Sequence, residues 1–540
     1  MATIKKGGFI MTKTTIRPAV CSIMALALGG SLLAGCGGNS GAEEPKAGSP
    51  SPAGAAASPQ TNTKASDKPL SLSVHLMFDG NVFNESWAVF KRAAELTNVS
   101  LKATLPKTVT DRKEAFNMMM ASGEISDIVM STKANMDKFG QEGAFVPLNE
   151  LIDKHAPNIK AFLAKRPDVR SVGTAADGKM YFLPFAPDGE AASGWFIRQD
   201  WLDKLGLTSP KTVDEYYKVL KEFKEKDPNG NGQPDEIPFF SRSASGVYEL
   251  LSLWAADQSY ALKDNKIVYG PLEPEYKEGI ASVAKWYKEG LIDKEIFTRG
   301  TKARDILLGN NTGGSNHDWF ASNASFNDTL KDKITGFKFL PIAPPANSKG
   351  KIVEPTARAV VKSDGWGISA SNKHPVETIK FFDFWYTEEG RRMANFGVEG
   401  LTYTMVDGKP KFTDEILQGG QVTQNLYKYG AQIQFSFHQD FEYERQYLNS
   451  IADKGISEYI NNKYIRQQIP ILAYTTEEEK KLGNMEASIN TYTSEMGQKW
   501  ILGAQPLEAT YDAYVSKLKT LGIDEVLKIK NEAYQRYLKQ

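Results

Sequence analysis

The sequence predicts an α/β protein, because apolar strand-like segments alternate with amphipathic helices along most of the chain. The chain has 540 residues, of which 41% are hydrophobic, and this is enough for two large lobes with separate cores. Its two cysteines, Cys21 and Cys36, lie near the N-terminus, which excludes disulfides, cysteine-ligated zinc and thiol catalysis in the folded part. We therefore expect cysteine-free α/β lobes with largely parallel sheets.

The first 35 residues have the features of a secretory signal peptide. Basic residues up to Arg17 precede an apolar run at 19–35, which is too short and too glycine-rich for a membrane span. The run ends in LAGC at 33–36, which resembles a bacterial lipobox, where the cysteine thiol takes a diacylglycerol. We expect the mature chain to begin at Cys36 and to be held by this lipid, with palmitate among its acyl chains, on the outer face of a membrane. An ordinary signal peptide is the alternative.

Residues 36–68 are rich in Gly, Ser, Ala and Pro and contain no large apolar side chain, so they predict a flexible linker. The signal segment carries four basic residues and no acid, and its removal changes the net charge of zero to −4. A nucleic-acid-binding protein would normally show a basic stripe, so we expect no nucleic-acid partner.

The folded body begins with a predicted strand at 70–76, where apolar and polar residues alternate, and continues with a helix at 87–97. Residues 212–226 predict a clear amphipathic helix, in which Thr212 and Glu215 are placed to form a capping box. Further strands are predicted at 126–130 and 178–185, and further helices near 275–289, 375–386 and 510–518.

A loop at 227–236 carries oxygen-bearing side chains at alternate positions of a calcium-type loop, with Gly232 where the chain must turn sharply. The position of the bidentate acid in an EF-hand is occupied by Pro238, so Glu236 is the candidate replacement. A turn without metal is the alternative, and the role we expect for Ca²⁺ is structural. The predicted ligands are Asp227, Asn229, Asn231, Gln233 through its carbonyl, Asp235 and Glu236.

No short catalytic motif is present: HExxH, GxSxG, the P-loop and the dinucleotide-binding glycine pattern are all missing from the sequence. Aromatic residues are abundant, with nine Trp, 22 Tyr and 27 Phe. The C–H faces of sugars stack on aromatic rings, so tryptophans beside polar loop residues are candidate saccharide platforms. Trp195, Trp319 and Trp366 lie in such contexts, and core packing is the alternative for each.

The run RQDWLDKLGL at 198–207, followed by PKTVDE at 210–215, resembles a hallmark of family 1 extracellular solute-binding proteins. These are lipoprotein receptors of ABC-type sugar importers in Gram-positive bacteria. The resemblance extends from about residue 70 to the end of the chain. It is closest to a subgroup that binds oligosaccharides, including uronic-acid-containing ones, and that carries a similar calcium loop. Other stretches that agree with the family lie at 121–130, 177–184, 285–293 and 381–400.

The resemblance implies a type 2 periplasmic-binding-protein fold, in which two α/β lobes close on a ligand held in the cleft between them. It implies a monomer that captures an oligosaccharide without catalysis and delivers it to the transmembrane subunits of an ABC permease. We expect crossings between lobes near 184–194, 340–351 and 397–404. Lobe 1 is then expected at 69–188 and 345–400, and lobe 2 at 189–344 and 401–540.

Candidate ligand-binding residues follow from the same resemblance, with Trp319 as the first choice for a stacking platform. Arg358 could pair bidentately with a uronate carboxylate, although a surface salt bridge is the alternative. Asp79 and Asn84 follow the first strand, where such folds present polar cleft residues, and an Asx turn is the alternative for both. The remaining candidates are the aromatic residues Trp366, Trp254, Tyr403 and Tyr181 and the polar residues His317, Asp318 and Glu399.

Two other classes of protein fit the same features. A surface-anchored carbohydrate-active enzyme would turn over an oligosaccharide and would carry a cleft carboxylate with a raised pKa. A surface adhesin or sensor subunit would use its lobes to bind a protein and would not be stabilised by a small molecule.

Overall fold

A computed structural model describes residues 63–78, 80–418 and 421–539. The predicted signal peptide, the predicted lipidation site Cys36, most of the predicted linker and the predicted binding residue Asp79 lie outside the described residues. Within the described part of the chain, no helix is both long enough and apolar enough to cross a membrane.

The strands of the described residues are short, and most belong to two central sheets. In chain order they are β1 Leu70–His75, β2 Met77–Phe78, β3 Asn81–Val82, β4 Val99–Ala103, β5 Ile128–Thr132, β6 Leu183–Pro184, β7 Ala186–Pro187, β8 Ser193–Arg198, β9 Ile237–Phe239, β10 Tyr260–Lys263, β11 Lys266–Tyr269, β12 Gly313–Trp319, β13 Phe339–Ile342, β14 Asp364–Ile368, β15 Tyr403–Val406, β16 Lys409–Phe412 and β17 His438–Gln439.

Helices cover the sheets and make up most of the C-terminal region. In chain order they are α1 Ala88–Thr97, α2 Arg112–Ser122, α3 Lys133–Gln141, α4 Asn149–His155, α5 Pro157–Lys165, α6 Pro167–Gly173, α7 Gln199–Leu205, α8 Val213–Glu225, α9 Pro274–Lys288, α10 Ala303–Gly309, α11 Phe320–Leu330, α12 Pro375–Phe384, α13 Glu388–Phe396, α14 Asp414–Leu417, α15 Val422–Tyr427, α16 Glu442–Arg445, α17 Ser450–Asn461, α18 Thr476–Ile501, α19 Leu507–Thr520 and α20 Ile523–Tyr537, with 3₁₀ helices at Ala244–Trp254 and Gly270–Leu272.

The N-terminus of helix α8 can be compared directly with the capping box predicted from the sequence. The Thr212 hydroxyl accepts a hydrogen bond from the backbone N–H of Glu215 at 3.2 Å, as predicted for an N-cap. The Glu215 carboxylate accepts from the backbone N–H of Lys211 rather than from that of Thr212. The predicted capping box is therefore half formed.

The first sheet has the strand order β4-β1-β5-β14-β6 and forms the centre of the first lobe. β1 lies parallel to β4 and β5, whereas β14 runs antiparallel to β5 and β6. Its core is rich in aromatic residues. Trp366 of β14 stacks on Phe382 of α12 with ring centroids 4.4 Å apart, and Phe435 lies 4.6 Å from Trp366.

The second sheet has the order β13-β8-β12-β9 and forms the centre of the second lobe. β8 runs antiparallel to both β12 and β13, and β12 lies parallel to β9. Both sheets are therefore mixed, and the prediction of largely parallel sheets is wrong. The reason is that β14 and β8 follow connections that cross from the other lobe, and such strands are free of the right-handed helical crossover that makes neighbours parallel.

Within the described residues, three segments connect the two lobes. The first, at 185–192, lies between β6 and β8, and the second, at 343–363, lies between β13 and β14, so both overlap predicted crossings. The third, at 440–449, lies between β17 and α17. β17 pairs in parallel with β7, which holds the first and third connections side by side.

The predicted crossing at 397–404 is wrong, because this stretch stays in the first lobe. Gly397 has a φ of 92°, and the Thr402 hydroxyl donates to the carbonyl of Phe396 at 2.6 Å, so the chain turns back here. The hairpin β15–β16 then packs Phe412 on Phe396 with ring centroids 5.5 Å apart. The first core continues as far as Tyr443, so the predicted start of the second lobe at residue 401 is too early.

Candidate functional site

The loop at 227–236 joins α8 to β9 and folds around the carboxylate of Asp227. This carboxylate accepts hydrogen bonds from the backbone N–H groups of Gly230 at 2.8 Å, Asn231 at 3.1 Å and Gly232 at 3.0 Å. Burial opposes its ionisation, but the three N–H groups and the ammonium of Lys204 hold the pKa of Asp227 below its usual value. Asp227 is therefore ionised and fixed, as a cation ligand must be.

The opposite side of the loop is closed by amide groups. The side-chain amides of Asn229 and Asn231 donate to Asp235 at 2.9 Å and 3.1 Å. The side-chain oxygens of the same two residues accept from backbone N–H groups, Asn229 from Asn231 and Asn231 from Gln233. The loop is thus a compact, internally hydrogen-bonded turn whose ten consecutive residues include the predicted ligands.

Glu236 is the member of this loop that lacks a partner. Its side chain is buried, with 7% of the residue exposed, and neither carboxylate oxygen has a hydrogen-bond partner. Burial raises the pKa of Glu236 and the carboxylates of Asp227 and Asp235 add to this rise, whereas the nearby backbone N–H groups of Glu236 and Asn229 oppose it. A buried carboxylate without a partner beside two other acids is costly, and a divalent cation would remove that cost.

The ligand types in this loop are mixed. Across the described ranges, no group of three or more His, Cys, Asp or Glu side chains is arranged to hold a metal ion. The candidate calcium ligands comprise three carboxylates, two amide oxygens and the backbone carbonyl of Gln233, and a hard cation such as Ca²⁺ uses all three kinds of oxygen. The residues present therefore fit calcium better than a transition metal.

A second candidate region lies at the end of β12, where Trp319 is 55% exposed. Tryptophan is highly buried on average in folded proteins, and an open indole ring offers a face for stacking. The guanidinium carbon of Arg242 lies 5.7 Å from the centre of the Trp319 ring, within the range of a cation–π contact. Arg242 follows β9, which is the neighbour of β12 in the second sheet.

Two arginines meet one carboxylate beside this ring. Asp318 is buried and contacts Arg242 at 3.0 Å and Arg304 of α10 at 3.1 Å. Within this group one carboxylate contacts two guanidinium groups, and the carboxylate of Asp305 also acts on Arg304. Arg304 is largely buried, whereas the Arg242 side chain is 37% exposed and can meet a solute. The surface made by Trp319, Asp318, Arg242 and Arg304 is called the Trp319 platform below.

The connections between the lobes lie next to the Trp319 platform. Trp319 pairs with Ser193 at the start of β8, directly after the first connection. In that connection, the carbonyl of Glu190 accepts a hydrogen bond from the backbone N–H of Arg358 at 2.7 Å. A cavity of about 660 Å³ lies beside the connections and is lined by Glu190, Arg358, Val360 and Arg466, among others.

Arg358 is mostly buried and already paired in this conformation. Its guanidinium contacts the carboxylate of Glu444 and the side-chain oxygen of Gln439, and it lies over the ring of Phe441 at 5.1 Å. Burial opposes its charge, but Glu444 holds the pKa of Arg358 above its usual value. The predicted role in binding a carboxylate would require Arg358 to exchange or share this partner.

Four predicted aromatic candidates are core residues, and the structure corrects them. Trp366 lies in the middle of β14 between β5 and β6, with no exposed surface. Trp254 packs edge-on against Trp286 at 5.0 Å, and Trp195 is enclosed in the same second core. Tyr181 is buried and donates its hydroxyl to Asp177 at 2.7 Å. Burial removes the ring faces that stacking on a sugar would need.

The side chains of the remaining candidates make their contacts away from the Trp319 ring. Tyr403 is buried in the first lobe near Phe396, and Glu399 is exposed on the turn before β15. Asn84 forms a local Asx turn, accepting from the backbone N–H of Ser86 at 3.0 Å. His317 is adjacent to the platform in sequence but is buried between two glutamates.

Arg242, Arg304 and Glu444 were missed by the sequence analysis. Arg242 comes three residues after the buried strand β9, and polar residues after strand ends are a usable signal in α/β folds. Arg304 and Glu444 lie in ordinary helical sequences, so only the fold reveals their positions.

The chain is similar to several known proteins. The family model described as bacterial extracellular solute-binding protein matches residues 107–392. The crystal structure of alginate-binding protein AlgQ2 without calcium ion has 44% sequence identity and a TM-score of 0.76, covering 88% of this chain and 99% of that chain.

Two sequence relatives agree with this similarity. The fructooligosaccharide ABC transporter substrate-binding protein FusA of Streptococcus pneumoniae is 27% identical over 474 residues, which is 79% of this chain and 83% of FusA. The polygalacturonan/rhamnogalacturonan-binding protein YtcQ of Bacillus subtilis is 23% identical over 468 residues, which is 83% of this chain and 88% of YtcQ.

Proposed function

The chain belongs to the bacterial extracellular solute-binding proteins, and we propose that it is the substrate-binding receptor of an ABC importer for an acidic oligosaccharide. The observation that carries this proposal is the Trp319 platform, where an exposed indole ring lies beside an exposed arginine at the connections between two lobes. The alginate-binding and polygalacturonan-binding relatives support the choice of a uronate ligand.

The chemistry of the platform suits a sugar acid. The C–H face of one ring would stack on Trp319, because apolar ring faces bury well against an indole. The uronate carboxylate would pair with Arg242, whose guanidinium has the planar, two-pronged geometry that carboxylates accept. Asp318 holds Arg242 and Arg304 in place at 3.0 Å and 3.1 Å, so the recognition group is prearranged. Arg358 would contribute only by sharing its partner Glu444.

Capture would proceed by closure of the two lobes. The connections at 185–192, 343–363 and 440–449 are the segments that must absorb the movement. A ligand that contacts both lobes binds the closed state better than the open one and shifts the equilibrium toward it. The membrane permease then recognises the closed receptor. No bond in the sugar is made or broken in this scheme.

The calcium loop would stabilise the second lobe. Asp227, Asn229, Asn231, Asp235 and Glu236 would hold Ca²⁺ through side-chain oxygens, and Gln233 through its carbonyl. The bound ion would supply charge compensation to the buried Glu236. Since the loop leads into β9, which pairs with β12, its order supports the sheet that carries Trp319.

The location we propose is the extracellular face of the cell membrane. LAGC at 33–36 would be cleaved before Cys36, and lipid on this cysteine would hold the protein through the linker up to residue 68. The transmembrane subunits of the permease are then within reach of the two lobes.

A ligand panel tests the proposal. Oligosaccharides of equal length derived from alginate, polygalacturonan and neutral fructans are added to the purified protein, and thermal unfolding is followed with and without calcium. We expect a rise of several degrees in the midpoint with a uronate oligosaccharide, which mass spectrometry then recovers unchanged. Recovery of a cleaved sugar would instead identify an enzyme. Stabilisation by neutral sugars alone would contradict the acidic ligand, and no stabilisation by any sugar would contradict the oligosaccharide receptor.

A further inference from the structure

His317 is enclosed between two glutamates from different segments of the chain. Its Nδ1 lies 2.8 Å from Oε2 of Glu249 in the 3₁₀ helix Ala244–Trp254, and its Nε2 lies 3.0 Å from Oε2 of Glu354 in the second connection. His317 is buried and Glu354 has no exposed surface, so solvent cannot replace Glu354 as its partner. This arrangement is separate from the contacts that hold Arg242 and Arg304.

The geometry indicates a charged imidazole. An ionised carboxylate can only accept hydrogen bonds, so two carboxylates facing the two ring nitrogens require both nitrogens to carry a proton. Burial opposes the charge, but Glu354 and Glu249 together hold the pKa of His317 well above its usual value. The ring is therefore an imidazolium that bridges two anions.

Glu354 is itself fixed by hydrogen bonds within the second connection and to the segment 464–466. Its Oε1 accepts from the backbone N–H of Thr356 at 2.9 Å and from the Thr356 hydroxyl at 2.6 Å. Its backbone N–H donates to the carbonyl of Tyr464 at 2.8 Å, and its carbonyl accepts from Arg466 at 2.9 Å. Arg466 forms a bidentate ion pair with Asp257 at 2.7 Å and 2.9 Å. The carboxylate that holds His317 is thus rigidly attached to the segment that joins the lobes.

We propose that His317 is a positioning residue for ligand capture, which ties the end of β12, and with it the Trp319 platform, to the second connection between the lobes. The proposal rests on the proposed function, since it concerns how the same platform is held. His317 does not touch the ligand. His317 fixes the angle between the strand that carries Asp318 and Trp319 and the segment that moves during closure. Without His317, the platform is no longer aligned with the closing lobe.

A set of variants tests this role against simple destabilisation. Glu354→Gln and His317→Gln each break the bridge, and we expect each to weaken oligosaccharide binding roughly tenfold. The double variant should be no weaker than the worse single variant, because both changes remove the same link. Glu249 is partly exposed, and Glu249→Gln, as the mildest variant, should weaken binding by a few-fold while folding normally.

The matched control is Tyr459→Phe. The Tyr459 hydroxyl donates to the carbonyl of Ile342 at 2.8 Å and accepts from the backbone N–H of Trp195 at 2.9 Å, so its removal weakens the same lobe but leaves both hydrogen bonds of His317 in place. We expect Tyr459→Phe to lower the unfolding midpoint by an amount similar to that of Glu249→Gln and to leave the dissociation constant unchanged. Ligand addition changes the fluorescence of Trp319. The size of this change should differ from that of the wild-type protein in the bridge variants but not in Tyr459→Phe.

Nitrogen NMR of the histidine rings supplies a direct readout. In the wild-type protein we expect both nitrogens of His317 to be protonated at neutral pH, and in Glu354→Gln we expect the Nε2 proton to be lost or to exchange rapidly. A neutral His317 in the wild-type protein would overturn the proposal, as would bridge variants that bind as tightly as Tyr459→Phe. If the wild-type protein bound no oligosaccharide at all, the proposed function would fail together with this role, and that outcome is distinct from the other two.

Discussion

The loop at 227–236 and the Trp319 platform both belong to the second lobe, but they are built in opposite ways. The loop draws every candidate ligand from ten consecutive residues, whereas the platform combines β12, the segment after β9 and α10. A site made of neighbours in sequence is visible from spacing alone. A site made of distant residues becomes visible only when the strand order is known.

The two regions also differ in what they are expected to control. The loop is anchored by hydrogen bonds and needs only a cation to satisfy Glu236, so its effect should fall on stability. The platform exposes Trp319 and Arg242 to solvent, so its effect should fall on affinity. The loop and the platform are close together, because β9 and β12 are paired. Separate effects on stability and on affinity would therefore not follow simply from distance.

The largest expected effect is loss of the calcium response in Asp227→Ala. An ion at about 1,000 times its dissociation constant adds about 4 kcal/mol to the free energy of unfolding. The variant should lose this increment, measured as the difference between chemical unfolding with calcium and with a chelator. Asp214→Asn, an exposed acid on the neighbouring helix α8, is the control and should keep the response. An unchanged calcium response in Asp227→Ala would mean that the loop is only a turn.

Trp319→Ala should produce the next largest effect, on affinity. Truncating a central aromatic anchor typically costs about 2 kcal/mol of binding free energy, which corresponds to roughly a thirtyfold rise in the dissociation constant. The unfolding midpoint should hardly move, since the ring is already 55% exposed. Isothermal titration calorimetry with the bound oligosaccharide measures the change in affinity.

Trp366→Phe is the contrasting variant for this experiment. Trp366 is fully buried, so the change leaves a cavity and should cost roughly 1 to 2 kcal/mol of stability. Its dissociation constant should match that of the wild-type protein. Reversed behaviour of the two variants, with Trp366 governing affinity, would contradict the assignment of the platform to Trp319.

Arg242→Gln should have a smaller effect that depends on the charge of the ligand. Loss of a partly exposed charged hydrogen bond should weaken binding of a uronate oligosaccharide by about 1 kcal/mol, with less effect at high salt. The dissociation constant for a neutral oligosaccharide should not change. Arg92→Gln, an exposed arginine of the first lobe paired with Glu95, is the matched control. Equal losses for acidic and neutral ligands would remove the role of Arg242 in charge recognition.

Glu479→Gln should alter neither the stabilisation by calcium nor the affinity for the oligosaccharide. It should change only the pH dependence of stability. Burial raises the pKa of Glu479 to about 7, with help from Asp137, although Lys133 and Lys138 oppose the shift. The folded protein therefore keeps a proton that the unfolded chain loses near its usual carboxyl pKa. The stability that depends on this proton is complete below the unfolded pKa and is lost as the pH rises through about 7.

The variant should consequently be more stable than the wild-type protein by roughly 1 kcal/mol in mildly alkaline solution, with little difference below the ordinary carboxyl pKa of 4.5. Chemical unfolding across the pH range measures this difference. A parallel pH dependence in both proteins would show that Glu479 does not titrate in this range.

Much of the fold and the hydrogen-bonded turn at 227–236 could be predicted from sequence, because their signals are local. The N-cap Thr212 and the oxygen pattern of 227–236 depend on residues a few positions apart. The third connection was misplaced because the turn at Gly397 and the hairpin after it look like a crossing until Tyr403 and Phe412 are seen to pack on the first lobe.

The tryptophans show where local reasoning stops. Trp319 and Trp366 both follow an aspartate near a strand, and their sequence contexts are alike. Trp366 lies in the middle of a strand that has neighbours on both sides, and its ring is covered by Phe382 and Phe435, which pack on the sheet. Trp319 is the last residue of β12, where it pairs with Ser193 at the start of β8, and it is 55% exposed. Burial at these positions is decided by strand order, which is set by distant parts of the chain.

The most direct test of the account is a calorimetric titration of the wild-type protein with a uronate oligosaccharide, performed once with calcium and once with a chelator at a temperature where both forms are folded. We expect one binding site and an oligosaccharide that is recovered intact. The dissociation constants with calcium and with the chelator should agree within about threefold. Binding that disappears without calcium would contradict the division of roles between the loop and the platform. An absence of binding heat under both conditions, or a cleaved sugar, would contradict the receptor itself.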